Sequence, residues 1–278
     1  MGKITAQAVK TSVHSGLGSG IVPDMFRVLT NRLKAIEDPK SGQMIEELNS
    51  TIPGKFYMDA EKIVSIKGNE VIKEHNFYDG VEPLTNNIFE LYLNNNFRSM
   101  MTVTGIDGLP RCNSAGNVLN NTLSLNFSIR LSPFMDPVEA GKIVYKKLSE
   151  NVPYNCKVDV DIKMALNGFY APIFPEHIEE IIKECSNEVF NKDPLFMHCG
   201  GSIPFMGMLK EKFSSSYFMV TGILGPNNNA HAGNENINIA YFKKFLVVMT
   251  RFLQRIAIVD WMPDMDLTKQ RSKSFHNG

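Results

Sequence analysis

Residues 122–131 alternate without a break. Leu123, Leu125, Phe127, Ile129 and Leu131 fall on one side, and Thr122, Ser124, Asn126, Ser128 and Arg130 on the other. A period of two is that of a pleated strand with one covered face and one wet face. The same pattern recurs where Val158, Val160, Ile162 and Met164 alternate with Asp159, Asp161 and Lys163. It recurs again in "KITAQAVKTSV" (3–13), where Ile4, Ala6 and Ala8 alternate with Thr5 and Gln7. A shorter strand, "SMMTVTGIDGLP" (99–110), ends in a turn, and the loop "NSAGN" (113–117) follows it.

Two helices fall between these strands. In "VPDMFRVLTNRLKAIED" (22–38), Phe26, Leu29, Leu33 and Ile36 make one apolar stripe, and Pro23 suits the first turn. The helix in "DPVEAGKIVYKKLSENV" (136–152) has its start written out: Asp136 to cap, Pro137 at the first helical position, Glu139 for a capping box. The order is strand, helix, strand, strand, helix, strand. That is the split βαβ, ferredoxin-like arrangement, closing near residue 166. An irregular insertion with short mixed stretches, about 38–98, interrupts it.

The texture changes after residue 166. "PEHIEEIIKECSNEVF" (175–190) reads as a helix. "PLFMHCGGSIPFMGML" (194–209) reads as a short strand, a glycine turn and a helix start. The continuously apolar "YFMVTGIL" (217–224) reads as a strand covered on both faces. "INIAYFKKFLVVMTRFLQRIAIVDW" (237–261) is a long apolar helix. The expected class is α+β: a βαββαβ domain over 1–166, then an incomplete α/β portion over 167–278.

Composition narrows the partners. The 29 basic and 29 acidic residues balance, and no polybasic stripe argues for nucleic acid or a membrane surface. The four cysteines form no C-x-x-C pair, so a zinc knuckle or redox motif is not expected. The start "MGKITAQAVKTSVHSG" lacks the apolar stretch of a signal peptide, and no apolar run is long enough to span a bilayer. A cytoplasmic setting is the expectation.

Chemistry is suggested by two loops. In an open α/β sheet, ligands bind beyond the carboxyl ends of the strands. "CGGSIP" (199–204) and "GPNNNAHAGNEN" (225–236) each follow an expected strand. The glycines of the first let backbone N–H groups approach an anion ahead of a helix start. The second carries a single histidine, His231, in a polar setting where an incidental imidazole would be the ordinary reading.

Five motifs occurring in one order change that reading. They are "VHSG" (13–16), "AGNVL" (115–119), "FSIRLSP" (127–133), "GGSIPFMGMLKEKF" (200–213) and "TGILGPNNNAHAGNE" (221–235). Together they resemble the di-zinc metallopeptidase family of carnosinase-like dipeptidases, aminoacylase, glutamate carboxypeptidase and succinyl-diaminopimelate desuccinylase. Ser202 and His231 lie 29 positions apart (231 − 202), and Asn117 and Arg130 lie 13 apart (130 − 117), about as in the dipeptidase branch. The resemblance implies that the βαββαβ unit is a lid, often a dimerisation domain, and that the rest belongs to a catalytic α/β domain. It further implies that His231 is a zinc ligand. His14 becomes a lid histidine that reaches, often from the partner subunit, toward the scissile carbonyl. Asn117 and Arg130 become substrate-binding residues, Gly201 and Ser202 the turn that holds the substrate carboxylate. The implied activity is hydrolysis of dipeptides or small peptides by a homodimer using two zinc ions.

The departures are equally specific. No H-x-D motif and no Glu-Glu pair precede "VHSG", so the family's N-terminal metal-binding half is not represented. Glu179–Glu180 lies within a helix and reads as its solvated face. Gly233 and Asn120 stand where the family favours proline, and Cys199 where relatives often carry a charge. His231 alone cannot hold a catalytic ion, which needs about three protein ligands. The chain by itself is therefore expected to be inactive. A non-catalytic dimerising module and one subunit of a split peptidase remain the alternatives.

Overall fold

The computed structural model describes residues 1–73, 75, 77–163, 165–166, 168–198, 204–225, 228–230 and 233–258. The chain begins with strand β1 (Gly2–Gln7), the two-residue strand β2 (Val13–His14), the single turn α1 (Ser15–Gly18) and helix α2 (Met25–Leu33). Three helices follow: α3 (Gly54–Lys67), α4 (Glu70–Lys73) and α5 (Ile88–Asn96). Then come β3 (Met100–Asp107), β4 (Val118–Leu119), β5 (Thr122–Arg130), α6 (Pro137–Ser149) and β6 (Lys157–Ile162). Beyond these lie α7 (Glu176–Phe190), α8 (Pro204–Lys212) and α9 (Ile239–Ile256).

The main sheet has the order β3-β5-β1-β6, with every neighbouring pair antiparallel. This is the order of a split βαβ unit, with β5 inserted beside β1. Ile4 sits opposite Leu125 on one side and Val160 on the other, and Ala6 opposite Leu123 and Val158. That face packs with Val28 and Leu29 of α2 and with Ala140, Val144 and Leu148 of α6 into one buried core. The other face is polar. Thr5 and Ser124 share a hydrogen bond of 2.8 Å between their hydroxyls, and Gln7 Nε2 donates to Thr122 Oγ1 at 3.1 Å. β1 stops at Gln7, so Ala8 is exposed rather than part of the strand.

Helix ends follow local chemistry. Asp136 accepts from the backbone N–H groups of Val138 (2.8 Å) and Glu139 (3.0 Å), and α6 begins at Pro137. Glu139 pairs with Lys142 at 2.6 Å instead of reaching back to the cap. In α2 the cap is Asp24, accepting from Arg27 N at 2.9 Å, so Pro23 lies just outside the helix. The buried face is Met25, Val28, Leu29 and Arg32, while Phe26 is 50% exposed. The stripe through Met25 competes with the one through Phe26, and it wins because Met25 and Val28 join Leu29 in the sheet core, while Arg32 on the same face reaches across to α6. There the Arg32 guanidinium donates to the Glu150 carbonyl, a cation at the negative end of a helix.

The insertion builds a core of its own. Ala60 and Ile63 of α3 bury against Tyr92 and Leu93 of α5 and Phe97, with Phe56 and Phe134 packed alongside. A buried serine joins it to the sheet. Ser99 N donates to Asn49 Oδ1 (2.9 Å), and Ser132 N donates to Ser99 Oγ (3.0 Å).

The chain forms two compact units: Met1–Tyr170 with Phe196–Ser215, and Ala171–Leu195 with Ser216–Gly278. In the second, Ile178, Ile182 and Cys185 of α7 and Phe252 of α9 are buried. The two helices are laced by Arg251 to Glu188 (2.7 Å) and Arg255 to Glu184 (3.1 Å). Two expected strands are not formed. Residues 194–198 and 217–224 carry no strand pairing, and Val220 and Leu224 are 57% and 70% exposed. A strand needs a neighbour to take its hydrogen bonds, and no described strand pairs with these segments. Met164, the fourth apolar position of its run, lies outside the described residues, as do residues 259–261 at the end of the expected long helix.

Candidate functional site

The β2–β4 ladder brings two of the candidate residues together. His14 is the register partner of Val118, and Ser15 N donates to the carbonyl of Asn117 at 2.9 Å. His14 and Asn117 thus stand side by side at an exposed tip. The tip is braced from below, where Asn121 N donates to Ser12 Oγ (3.2 Å) and Asn121 Nδ2 to the Lys10 carbonyl (3.1 Å). Gly18 lets the turn pack closely: a Cβ there would lie 2.7 Å from Val13 Cγ2 and 2.9 Å from Leu119 Cδ1, and these side chains would have to shift. His14 Nδ1 accepts from Gly16 N at 3.1 Å. A neutral imidazole that accepts at Nδ1 carries its proton on Nε2, and that N–H is a donor suited to a carbonyl oxygen.

Arg130 is placed elsewhere. It ends β5, opposite Met100, exposed on the polar face of the sheet. With Ser128, Pro133, Ala140, Ile162 and Leu166 it borders a cavity of about 280 Å³. His14 and Asn117 lie beyond the Thr122 end of the same strand. Eight residue steps separate Thr122 from Arg130 (130 − 122), which is roughly 27 Å at ~3.4 Å per step. A dipeptide is only about 7 Å long when extended. One dipeptide therefore cannot touch His14 and Arg130 of the same chain.

Gly201, Ser202 and His231 lie outside the described residues. Their flanks are informative. The neck of the His231 loop is fastened by Asn228, which is 5% exposed. Its side chain accepts from Gly225 N and donates to the Asn236 carbonyl, and Asn236 N donates to Asn228 O at 3.0 Å. Asn229 and Asn234 hold left-handed backbone (φ 53° and 60°), a conformation asparagine tolerates well. Among the described residues no three His, Cys, Asp or Glu side chains stand close enough to hold a metal ion. The described residues do not by themselves make a zinc site.

Upstream of the glycine turn, the structure reveals a residue that periodicity did not single out. His198 is seated among Phe97, Phe56 and Tyr92, with ring centroids 4.6, 5.8 and 6.2 Å away in edge-to-face arrangements. Its Nδ1 lies 3.2 Å from Tyr92 Oη, and its backbone N–H donates to the same oxygen at 3.3 Å. Burial pushes the imidazole below its ordinary value. Asp59 partly offsets this, and Lys55 adds to it. Asp59 is itself buried and paired with Lys55 at 3.2 Å. The only sequence signal was the aromatic content of the insertion, which has no simple period.

No family model matches the chain. In sequence it is 24% identical over 242 residues to the cysteinylglycine-S-conjugate dipeptidase of Corynebacterium striatum, covering 87% of this chain and 51% of that protein. It is also 24% identical over 254 residues to the Cys-Gly metallodipeptidase of Saccharomyces cerevisiae, covering 87% and 50%. In structure it matches an M20 family metallo-carboxypeptidase of Sulfolobus solfataricus with a TM-score of 0.67 at 16% identity, over 91% of this chain and 56% of that one. The chain spans about half the length of the curated relatives it matches. No helix among the described residues is long and apolar enough to cross a membrane.

Proposed function

We infer that this chain, a relative of carnosinase-like metallodipeptidases over about half their length, supplies the substrate-side groups for metal-dependent hydrolysis of dipeptides. The observation that carries the reading is the β2–β4 tip, which sets His14 beside Asn117 with its Nδ1 already engaged. A group so arranged presents a neutral Nε2–H to the scissile carbonyl and stabilises the charge that develops on its oxygen. Asn117 steadies the same end of the substrate. Arg130 can pair a carboxylate through two parallel hydrogen bonds, and Gly201 and Ser202 would hold a carboxylate by backbone and hydroxyl donors.

In this reading residues 1–166 are the lid and 167–278 part of the catalytic domain. His231 is one metal ligand, and zinc is the expected ion, with its remaining ligands drawn from a metal-binding half. When bound, such an ion supplies an activated water and polarises the carbonyl. A homodimer through the lid accounts for the separation of His14 from Arg130, because each site then takes its His14 from the partner.

The test is hydrolysis of cysteinylglycine by this chain completed with the metal-binding half of its yeast relative. His14→Ala should lower turnover with zinc content unchanged, and His231→Ala should lower both. A His14→Ala enzyme as fast as the parent would remove the assigned role.

A further inference from the structure

Gly141 stands in the middle of α6, between the buried Ala140 and Val144. Its surroundings do not demand a glycine: a Cβ there would meet Ile162 Cγ2 at an ordinary 3.7 Å. Stability alone favours a larger residue, because glycine is the poorest helix former after proline. What the glycine keeps open is the cavity of about 280 Å³ that it lines with Phe127, Pro133, Val144 and Ile162. That volume is near the lower end of ligand pockets, roughly 300–1,000 Å³, and suits a single residue better than a longer peptide.

Two polar groups on the cavity wall are left without a partner. Asn96 is 8% exposed, and its Nδ2 donates to the Tyr92 carbonyl at 2.8 Å. That bond fixes which end of the amide is which, and Oδ1 accepts no hydrogen bond among the described residues. Arg130, at the exposed side of the cavity, has no hydrogen bond or ion pair among the described residues. A sheltered acceptor without a donor is costly, so an occupant that donates to it gains. An apolar space with one acceptor and one cation complements an apolar body that carries one N–H and one carboxylate. The C-terminal residue of a peptide has these three features. We propose that the cavity receives the C-terminal residue of the substrate and selects an apolar side chain there. The side chain lies among Phe127, Val144 and Ile162, the amide N–H meets Asn96 Oδ1, and the carboxylate pairs with Arg130. The preferred substrates are then dipeptides that end in a residue such as leucine rather than glycine. The proposal rests on the carboxylate-binding role given to Arg130 above.

N-acetylleucine carries the same N–H, side chain and carboxylate, so the full chain can be tested alone. It is titrated with N-acetylleucine, N-acetylglycine and N-acetylleucinamide and followed by the amide signals of the labelled protein. N-acetylleucine should bind about tenfold to a hundredfold tighter than N-acetylglycine, the worth of burying one such side chain. The neutral amide should bind more weakly than the acid, and Arg130→Ala should erase that difference. Gly141→Leu puts a side chain of its own into the space and should erase the preference for leucine over glycine. Gly141→Ala, which favours the helix and meets ordinary contact, should reduce the preference while raising the melting temperature. Equal binding of N-acetylleucine and N-acetylglycine to the parent, or binding of neither at millimolar concentration, would overturn the proposal. In the completed enzyme, cysteinylleucine should be hydrolysed with a higher kcat/KM than cysteinylglycine, and Gly141→Leu should lower that ratio by about tenfold or more. Loss of the acid-over-amide difference in Arg130→Ala, without any preference for leucine in the parent, would keep the role of Arg130 and remove the pocket. An unchanged difference in Arg130→Ala would remove the carboxylate role itself, and the proposal with it.

Discussion

Asp136 shows how far a single side chain settles local structure. Its carboxylate takes up two backbone donors that the first turn of α6 would otherwise leave unpaired. Asp136→Ala should cost about 1 kcal/mol, within a range of roughly 0.5–2, read as a lower urea midpoint with an unchanged slope. Ile4, fully buried at the centre of the sheet, belongs to a costlier class. Ile4→Ala should cost roughly 2–5 kcal/mol by the same measurement, because the core cannot close over the lost methyl groups. Both residues were legible in the sequence: a cap is a local motif, and Ile4 sits in an alternating run. Phe26 is exposed because two helical stripes overlap there, and the sheet core takes Met25 and Val28 along with Leu29 instead. His198 was not legible either. Its setting is made by rings more than a hundred positions earlier in the chain, and nothing near residue 198 announces them.

At the scale of elements, what could be read depended on whether an element's partners lie within its own pattern. β5 and β6 alternate cleanly because one face meets helices and the other carries polar side chains. The insertion did not read cleanly, since α5 buries Asn94 and Asn96 among its apolar residues. The run 217–224 reads as a strand in sequence, yet no described neighbour pairs with it, and apolar content alone does not make a sheet. The turn after β3 is more exacting than its sequence suggests. Gly108 has φ +105°, and a Cβ there would lie 2.5 Å from the Thr122 carbonyl oxygen, a backbone atom that cannot swing away. Gly108→Ala should therefore destabilise by more than the ~0.4–1 kcal/mol that a glycine replacement gains at a compatible position. It should also raise exchange at the β3–β5 ladder before it touches β6. A melting temperature equal to wild type would show that the turn relaxes freely.

At the scale of the whole molecule, the separation along β5 decides the assembly that the proposed chemistry needs. His14 and Asn117 lie past one end of the strand and Arg130 at the other, roughly 27 Å away at ~3.4 Å per residue. A site that uses all three must draw on two chains. β3 offers a means of pairing: it is an edge strand of the sheet, and Val103 and Ile106 on it are 45% and 48% exposed. Light scattering should give a dimer mass, and Val103→Lys, which puts a charge on that edge, should shift it toward monomer. A sharper test follows from the geometry. In the completed enzyme, His14→Ala and Arg130→Ala should each be strongly impaired alone. Mixing the two and allowing subunits to exchange makes half of the dimers mixed. In each mixed dimer one site receives both defects and the other receives neither. About a quarter of parental activity should then return, as two-fold symmetry requires. If each site instead took His14 and Arg130 from one chain, every site in the mixture would keep one defect and no activity would return.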